Sequence, residues 1–321
     1  MRRLSRLILA ILILLAFSAT AGAQAAPEAP SIRAGTIAGV IAIDGVLDEA
    51  AWSAADAIPS LTMIEPSEGA TPEGRTSVRI LVRATEILFG VVCDDAAPDG
   101  IVSFTKQRDG SLRNEDNIKI VLDTFLDGRS GYVFQVNPGG ARYDALINPG
   151  GDSENSNWDA IWTAATRRSP SGWTAEIRIP TQTLDFNPDL HEWHFNVERR
   201  IQRLQETDRW ASPRRDWKLT QTSRAGLLTG LPALTQGRGL AIRPSMTSGG
   251  GIDAPGAPVG GVADASLDVT QRLGPNLMSS LSATTSFRSS AAASDWCLAA
   301  RFLWRQAARS TGGSAEPVLA G

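Results

Sequence analysis

Apolar and polar residues alternate with a period of two through most of the middle of the chain. In "WTAEIRIP", Trp173, Ala175, Ile177 and Ile179 share one face while Thr174, Glu176 and Arg178 take the other. This is the mark of a strand with one side against a core. The same alternation sets Trp193, Phe195 and Val197 of "WHFNVERRIQR" against His194, Asn196, Glu198, Arg200 and Gln202. It also sets Tyr132, Phe134 and Val136 of "GYVFQVNP" against Gln135 and Asn137. "WDAIW" is less regular, with Trp158, Ala160 and Trp162 on one face and Ile161 on the other. Further strands are predicted at "GVIAIDG", "SVRILVRAT", "ILFGVVCDD", "NIKIVLDT" and "ARYDALI", with turn residues such as "DGRSG", "NPGG" and "SPSG" between them. Helical patterning is confined to "LDEAAW", where Trp52 tucks inward, and to "TQTLDF". Short strands at this spacing from about Ile32 to Pro232 predict one all-β domain, an antiparallel two-sheet β-sandwich of jelly-roll type.

The two ends of the chain break this pattern. Arg2, Arg3 and Arg6 precede an apolar run from Leu7 to about Phe17, and small residues Ala21, Gly22 and Ala23 follow. That order reads as a secretory signal peptide over residues 1–25, cleaved after Ala23 or Ala25. An exported chain is therefore expected: periplasmic, outer-membrane-associated or secreted. From about Gly237 the composition shifts to Gly, Ser, Ala and Pro, which reads as a linker. "SLDVTQRLGPNLMSSLSATTSF" then predicts a hairpin around Gly274, Pro275 and Asn276, with Leu267, Val269, Gln271 and Leu273 on one face. Residues 237–287 are thus expected to form a linker and a β-hairpin. Residues 288–321 show neither pattern and are expected to be irregular, as a disordered tail or the product of a shifted reading frame.

Charge and chemistry-bearing residues narrow the function. The formal net charge is −3, and Lys106, Lys119 and Lys218 are the only lysines. No basic patch argues for nucleic acid. Cys93 and Cys297 are the only cysteines, and Cys93 falls inside an apolar strand, which gives no disulfide framework. His191 and His194 of "HEWH" sit at the start of a strand, unlike the helical zinc motif. No nucleophile elbow, phosphate loop or dinucleotide fingerprint is present, so no catalytic residues are assigned. Two acidic loops carry the hard oxygen chemistry that calcium takes: Asp94, Asp95 and Asp99 in "CDDAAPDG", and Asp152 and Glu154 in "GDSENSN".

Read in order, "IDGVLDEAAW", "EDNIKIVLDT", "GYVFQVNPGG", "GWTAEIRIP" and "WHFNVERR" resemble the family 9 carbohydrate-binding modules over roughly Ala34 to Leu231. The resemblance implies a DOMON-like antiparallel sandwich that binds glycans and is often attached to hydrolases acting on O-glycosyl bonds. It is nearest to the subgroup of exported bacterial proteins in which an outer-membrane β-barrel follows, so that 237–287 looks like a truncated barrel start. In sugar-binding members the ring lies between two tryptophans, since a pyranose offers an apolar face for stacking. Carried over by motif, one tryptophan falls on Trp217, the polar pair on Gln135 and Asn137, and a further polar position on Glu198. The other tryptophan is expected just before "EDN", where this chain has Leu112, Arg113 and Asn114, and Lys119 stands where a carboxylate is expected. Trp158 and Trp162 are the alternative stacking platform.

Two functions follow as expectations. One is an oligosaccharide- or polysaccharide-binding module of an exported protein, serving carbohydrate catabolism by holding substrate. The other is a periplasmic domain of a truncated outer-membrane β-barrel protein that binds no sugar.

Overall fold

The computed structural model describes residues 29–37, 39–236, 240–251, 260–274, 277–289 and 294–306. The expected signal peptide lies outside these residues.

The sandwich is built, in chain order, from β1 (Ser31–Arg33), β2 (Gly35–Thr36), α1 (Ala50–Ala54), β3 (Ala57–Ile58), β4 (Thr62–Glu65), β5 (Thr76–Arg83), β6 (Glu86–Asp94), β7 (Asn117–Asp123), β8 (Gly131–Val136), β9 (Arg142–Ile147), β10 (Glu154–Asn155), β11 (Thr163–Ser169), β12 (Gly172–Pro180), β13 (Trp193–Ile201), β14 (Glu206–Arg209) and β15 (Gly226–Thr229). Nine strands form one sheet in the order β1-β15-β13-β7-β8-β9-β10, with β14 pairing β13 and β4 pairing β14. Six form the other, β11-β12-β6-β5-β2, with β3 on β5. Pairing is antiparallel except between β1 and β15 and between β2 and β5.

The inward faces are those the alternation predicts. Trp173, Ala175, Ile177 and Ile179 of β12 pack with Ile87, Phe89 and Val91 of β6 against Ile118, Ile120 and Leu122 of β7, Phe134 and Val136 of β8, and Trp193, Phe195 and Val197 of β13. Phe89 and Phe195 stack across the interface with ring centroids 5.6 Å apart. Burying side chains of this size stabilises the fold by roughly 2 to 3 kcal/mol each.

Both outer faces carry a cover. On the six-stranded sheet, α1 and the chain before it pack Ile37, Ile41 and Trp52 against Leu81 and Leu88. Gly90 makes this fit: a Cβ there would meet Leu47 Cδ2 at 2.5 Å and the Trp52 ring at 2.9 Å. Glu176, beside Gly90 on the neighbouring strand, then receives the Trp52 indole N–H at 3.0 Å and the backbone N–H of Asp44 and Gly45 at 2.9 Å. Burial pushes its carboxyl above the usual range. On the nine-stranded sheet, Leu219 from the segment after β14 covers Val121, Val133, Ala145 and Ile147.

Beyond the sandwich, β16 (Leu240–Gly251), β17 (Gly260–Gly274), β18 (Leu277–Ser289) and β19 (Ser294–Gln306) form a four-stranded antiparallel meander. The expected hairpin is the β17–β18 pair, with Leu267 opposite Ala283 and Val269 opposite Leu281. The linker expected from 237 is instead partly strand: its glycines Gly249, Gly250 and Gly251 pair with Val262, Gly261 and Gly260. The tail also differs from expectation, because 294–306 pairs with β18 over the whole of β19. Pairing with a neighbour supplies order that the local pattern does not show.

Residues 158–162 are not a strand. Their polar groups are satisfied by side chains rather than by a ladder: Ala160 N–H donates to Asp144 Oδ2 at 2.7 Å and Ile161 N–H to Thr183 Oγ1 at 3.0 Å.

Candidate functional site

The outer face of the nine-stranded sheet carries a polar row that crosses five strands. Strand register places Arg209 of β14 beside Glu198 of β13, Glu198 beside Lys119 of β7, Lys119 beside Gln135 of β8, and Gln135 beside Tyr143 of β9. These residues stand on the face opposite the apolar core because each is flanked in its own strand by inward residues.

Side-chain contacts tie the row together. Arg209 donates from Nε and Nη2 to Glu198 Oε2 at 3.0 and 2.7 Å. Lys119 Nζ reaches Glu154 Oε1 at 2.5 Å, and the Tyr143 hydroxyl donates to Glu154 Oε2 at 3.0 Å. Burial and the Glu154 carboxylate push the Tyr143 phenol well above its ordinary range, which keeps it a neutral donor. Gln135 sits half-buried at the centre, and among the described residues its amide has no hydrogen-bond partner. An amide without a protein partner, flanked by ordered charges, offers both a donor and an acceptor to a hydroxyl-rich ligand.

Trp217 lies at the Arg209 end. Its carbonyl accepts Arg209 Nη1 at 2.8 Å, and its ring, half-buried, carries the guanidiniums of Arg224 and Arg214 at 4.7 and 5.4 Å from the centroid. The structure therefore brings Trp217, Glu198, Lys119 and Gln135 into one connected face. Arg113 is exposed on the loop entering β7 and Leu112 beside it is buried, so neither supplies a second ring.

Asn137 is elsewhere. It is fully buried: its amide donates to Thr105 O at 2.9 Å and Glu115 Oε2 at 2.8 Å, and its carbonyl accepts Gly139 and Ala141 N–H at 3.0 and 2.8 Å. Every polar position of the side chain is used: its oxygen holds the "NPGG" turn, and its amide N–H groups tie that turn to Thr105 and Glu115. Of the alternative platform, one ring is enclosed and the other half-buried. Trp162 is 2% exposed, donates to Asp144 Oδ1 at 2.8 Å and packs edge-on against Phe134, and half-buried Trp158 leans on Tyr132 and Phe134. Trp162 belongs to the core, and Trp158 packs against it.

The three aspartates of the loop expected to hold calcium stand in different surroundings. Asp94 pairs with Arg75 at 3.1 Å, Asp95 is buried against Arg203, and Asp99 is exposed in a short turn. Among the described residues no three acidic, histidine or cysteine side chains are grouped to hold a metal ion. Asp152 and Glu154 likewise take Lys218 and Lys119. His191 and His194 are separated, one on Leu231 O at 3.1 Å and the other on Asp123 Oδ2 at 2.9 Å.

Sequence reasoning missed three members of the face: Arg209, Tyr143 and Arg224. Alternation in "ARYDALI" gives Tyr143 a side but not a neighbour; only the strand register joins it to Gln135. It missed as well a buried charged layer at one end of the sandwich. Arg199, on the inner face of β13, is fully buried and donates to Gly74 O at 3.1 Å, Thr76 Oγ1 at 3.2 Å and Asp94 O at 2.9 Å. Around it stand Asp95, Asp116, Glu206 and Asp208, all buried. Burial, then the neighbouring Glu206, pushes Asp208 up to about 8.

No known family matches the sequence, and no curated protein does. Solved structures do resemble the chain. One is a carbohydrate binding module family 9 (CBM9) from Caldicellulosiruptor kristjanssonii in complex with glucose, at 15% identity over 64% of this chain and 97% of that chain, with a TM-score of 0.44. Another is a candidate carbohydrate-binding protein from Bacteroides uniformis, at 12% identity over 63% of this chain and 99% of that chain, with a TM-score of 0.51. The second likeness shows a shared fold, that of the β-sandwich.

Proposed function

We propose that the sandwich is a carbohydrate-binding module whose ligand lies along the outer face of the nine-stranded sheet. The observation that carries this reading is the polar row with Gln135 unpartnered at its centre and Trp217 at its edge. Sugar sites combine an aromatic surface for the apolar face of the ring with a few fixed polar groups for its hydroxyls. Glu198, Lys119 and Tyr143 are held in place before any ligand arrives, which lowers the entropy cost of binding. The ordered resemblance to family 9 modules and the fold shared with the Bacteroides uniformis protein support the same reading. The module holds substrate for carbohydrate catabolism in an exported protein. The test is calorimetric titration of oligosaccharides into the full chain and into Gln135→Ala and Trp217→Ala variants. Binding weakened by both changes supports the site; binding indifferent to both places it elsewhere.

A second reading concerns the C-terminal meander. One face carries Ile242, Met246, Leu267, Val269 and Leu281, and the other Arg243, Ser245, Asp264, Ser266, Asp268 and Ser282. Ile242, Met246, Leu267 and Leu281 are exposed large hydrophobics. Strands of 12 to 15 residues exceed the roughly 9 to 11 needed to cross a bilayer, and apolar-out, polar-in alternation is the pattern of an outer-membrane barrel. On this reading the sandwich is a periplasmic domain attached to membrane-embedded strands. Carbonate extraction of cell envelopes tests it: retention with the membrane supports it, and release into the soluble fraction overturns it.

A further inference from the structure

Resting on the carbohydrate reading, we propose that the ligand is an acidic glycan, one whose pyranose rings carry carboxylates. The whole chain has 31 basic and 34 acidic residues, yet the segment 209–224 that borders the polar row has Arg209, Arg214, Arg215, Lys218 and Arg224 against the single acid Asp216. These cations are unevenly spent. Arg209 is consumed by Glu198, and Arg215 by the carbonyls of Ile64 and Pro66. Arg224 is exposed and has no carboxylate partner among the described residues; its guanidinium rests over the Trp217 ring at 4.7 Å. Arg214 has only Glu68 at 3.9 Å and lies over the same ring at 5.4 Å. Lys218 meets Asp152 at 3.3 Å with both side chains largely in water.

The two acids within the row, Glu198 and Glu154, do not repel an anion, because their charge is already met. Glu198 is held by Arg209, and Glu154 by Lys119 and the Tyr143 hydroxyl. The face thus has a neutralised centre that suits hydroxyls and a cationic edge built around an aromatic ring. A uronate fits both parts. Its hydroxyls meet the polar row, and its planar carboxylate takes a guanidinium fork that the indole holds in place, in a charge-assisted pair. A neutral sugar leaves the Arg224 and Arg214 forks without an acceptor.

The experiment is calorimetric titration of the full chain with oligogalacturonate and with its methyl ester, the same rings with the charge removed, at low and high salt. The expected result is that the acid binds on the order of tenfold more tightly than the ester, the magnitude of one charge-assisted pair. The preference shrinks at high salt as screening rises. Arg224→Gln and Arg214→Gln should each reduce the ratio of the two affinities; both residues are exposed, and an unchanged thermal midpoint confirms that the fold is intact. Equal binding of acid and ester overturns the acidic preference and leaves the carbohydrate reading standing. Binding of neither ligand, or of any neutral oligosaccharide tried beside them, overturns both.

Discussion

Trp52 Nε1 donates to Glu176 Oε1 at 3.0 Å, fastening α1 to the outer face of β12 across 124 residues of chain. The same carboxylate accepts two backbone N–H groups, and no water reaches it. Glu176→Ala leaves the buried donors of Gly45 and Trp52 and the part-buried N–H of Asp44 without an acceptor, and is expected to cost about 2 to 4 kcal/mol, since each orphaned buried group costs roughly 1 to 3. Denaturant unfolding checks this; a loss below the scatter of the method would mean the N-terminal cover contributes little.

The charged layer around Arg199 makes stability depend on pH. Asp208 rises from an ordinary 3.8 to about 8 in the folded state, through burial and then Glu206, while Arg199 opposes the shift. A carboxyl whose folded value is raised contributes stability that is fully present below its unfolded value and is lost as pH rises through its folded value. The thermal midpoint of the native protein is therefore expected to fall, relative to Asp208→Asn, as pH climbs from near 4 through about 8. Parallel midpoint curves for the two proteins would remove Asp208 as the cause.

Trp173 is a core anchor at 1% exposure. Trp173→Ala should cost about 3 to 5 kcal/mol, the range for deleting a large buried aromatic. Equilibrium unfolding measures it directly.

Asn137 and Gln135 are two residues apart and are expected to separate stability from binding. Asn137→Ala strips the "NPGG" turn of its clasp and should cost about 2 kcal/mol of stability. Gln135→Ala should leave the thermal midpoint unchanged and weaken glycan binding by about 1 kcal/mol, one neutral hydrogen bond. The reverse outcome would exchange their roles.

Period-two alternation made the sandwich legible because burial on one face repeats in every strand. It identified the inward sets of β8, β12 and β13 residue by residue. It failed where something other than the opposite sheet does the burying. Glu176 reads as a solvated position, and only the segment folded over it from Asp44 to Trp52 shows otherwise. Arg199 continues the inward register of Val197, against its own charge, because carbonyls and carboxylates from distant strands meet it there. Asn137 sits one residue beyond its strand, where a turn rather than the pleat sets direction. The candidate face was half legible. Trp217, Gln135, Glu198 and Lys119 came from motif likeness, but their adjacency is a property of strand order, which brings β13 next to β7 across some 70 residues of intervening chain.

The parallel pairing of β1 with β15, Ser31 beside Leu227 and Arg33 beside Thr229, has a consequence in time. A chain that emerges N-terminus first presents β1 long before its partner exists. The larger sheet stays open at that edge until almost the whole sandwich is out, and closing it requires a long loop to be brought together at a late stage. The last strand of the domain is thus also its latch: truncation just before Gly226 would strand the first residues as well as the last.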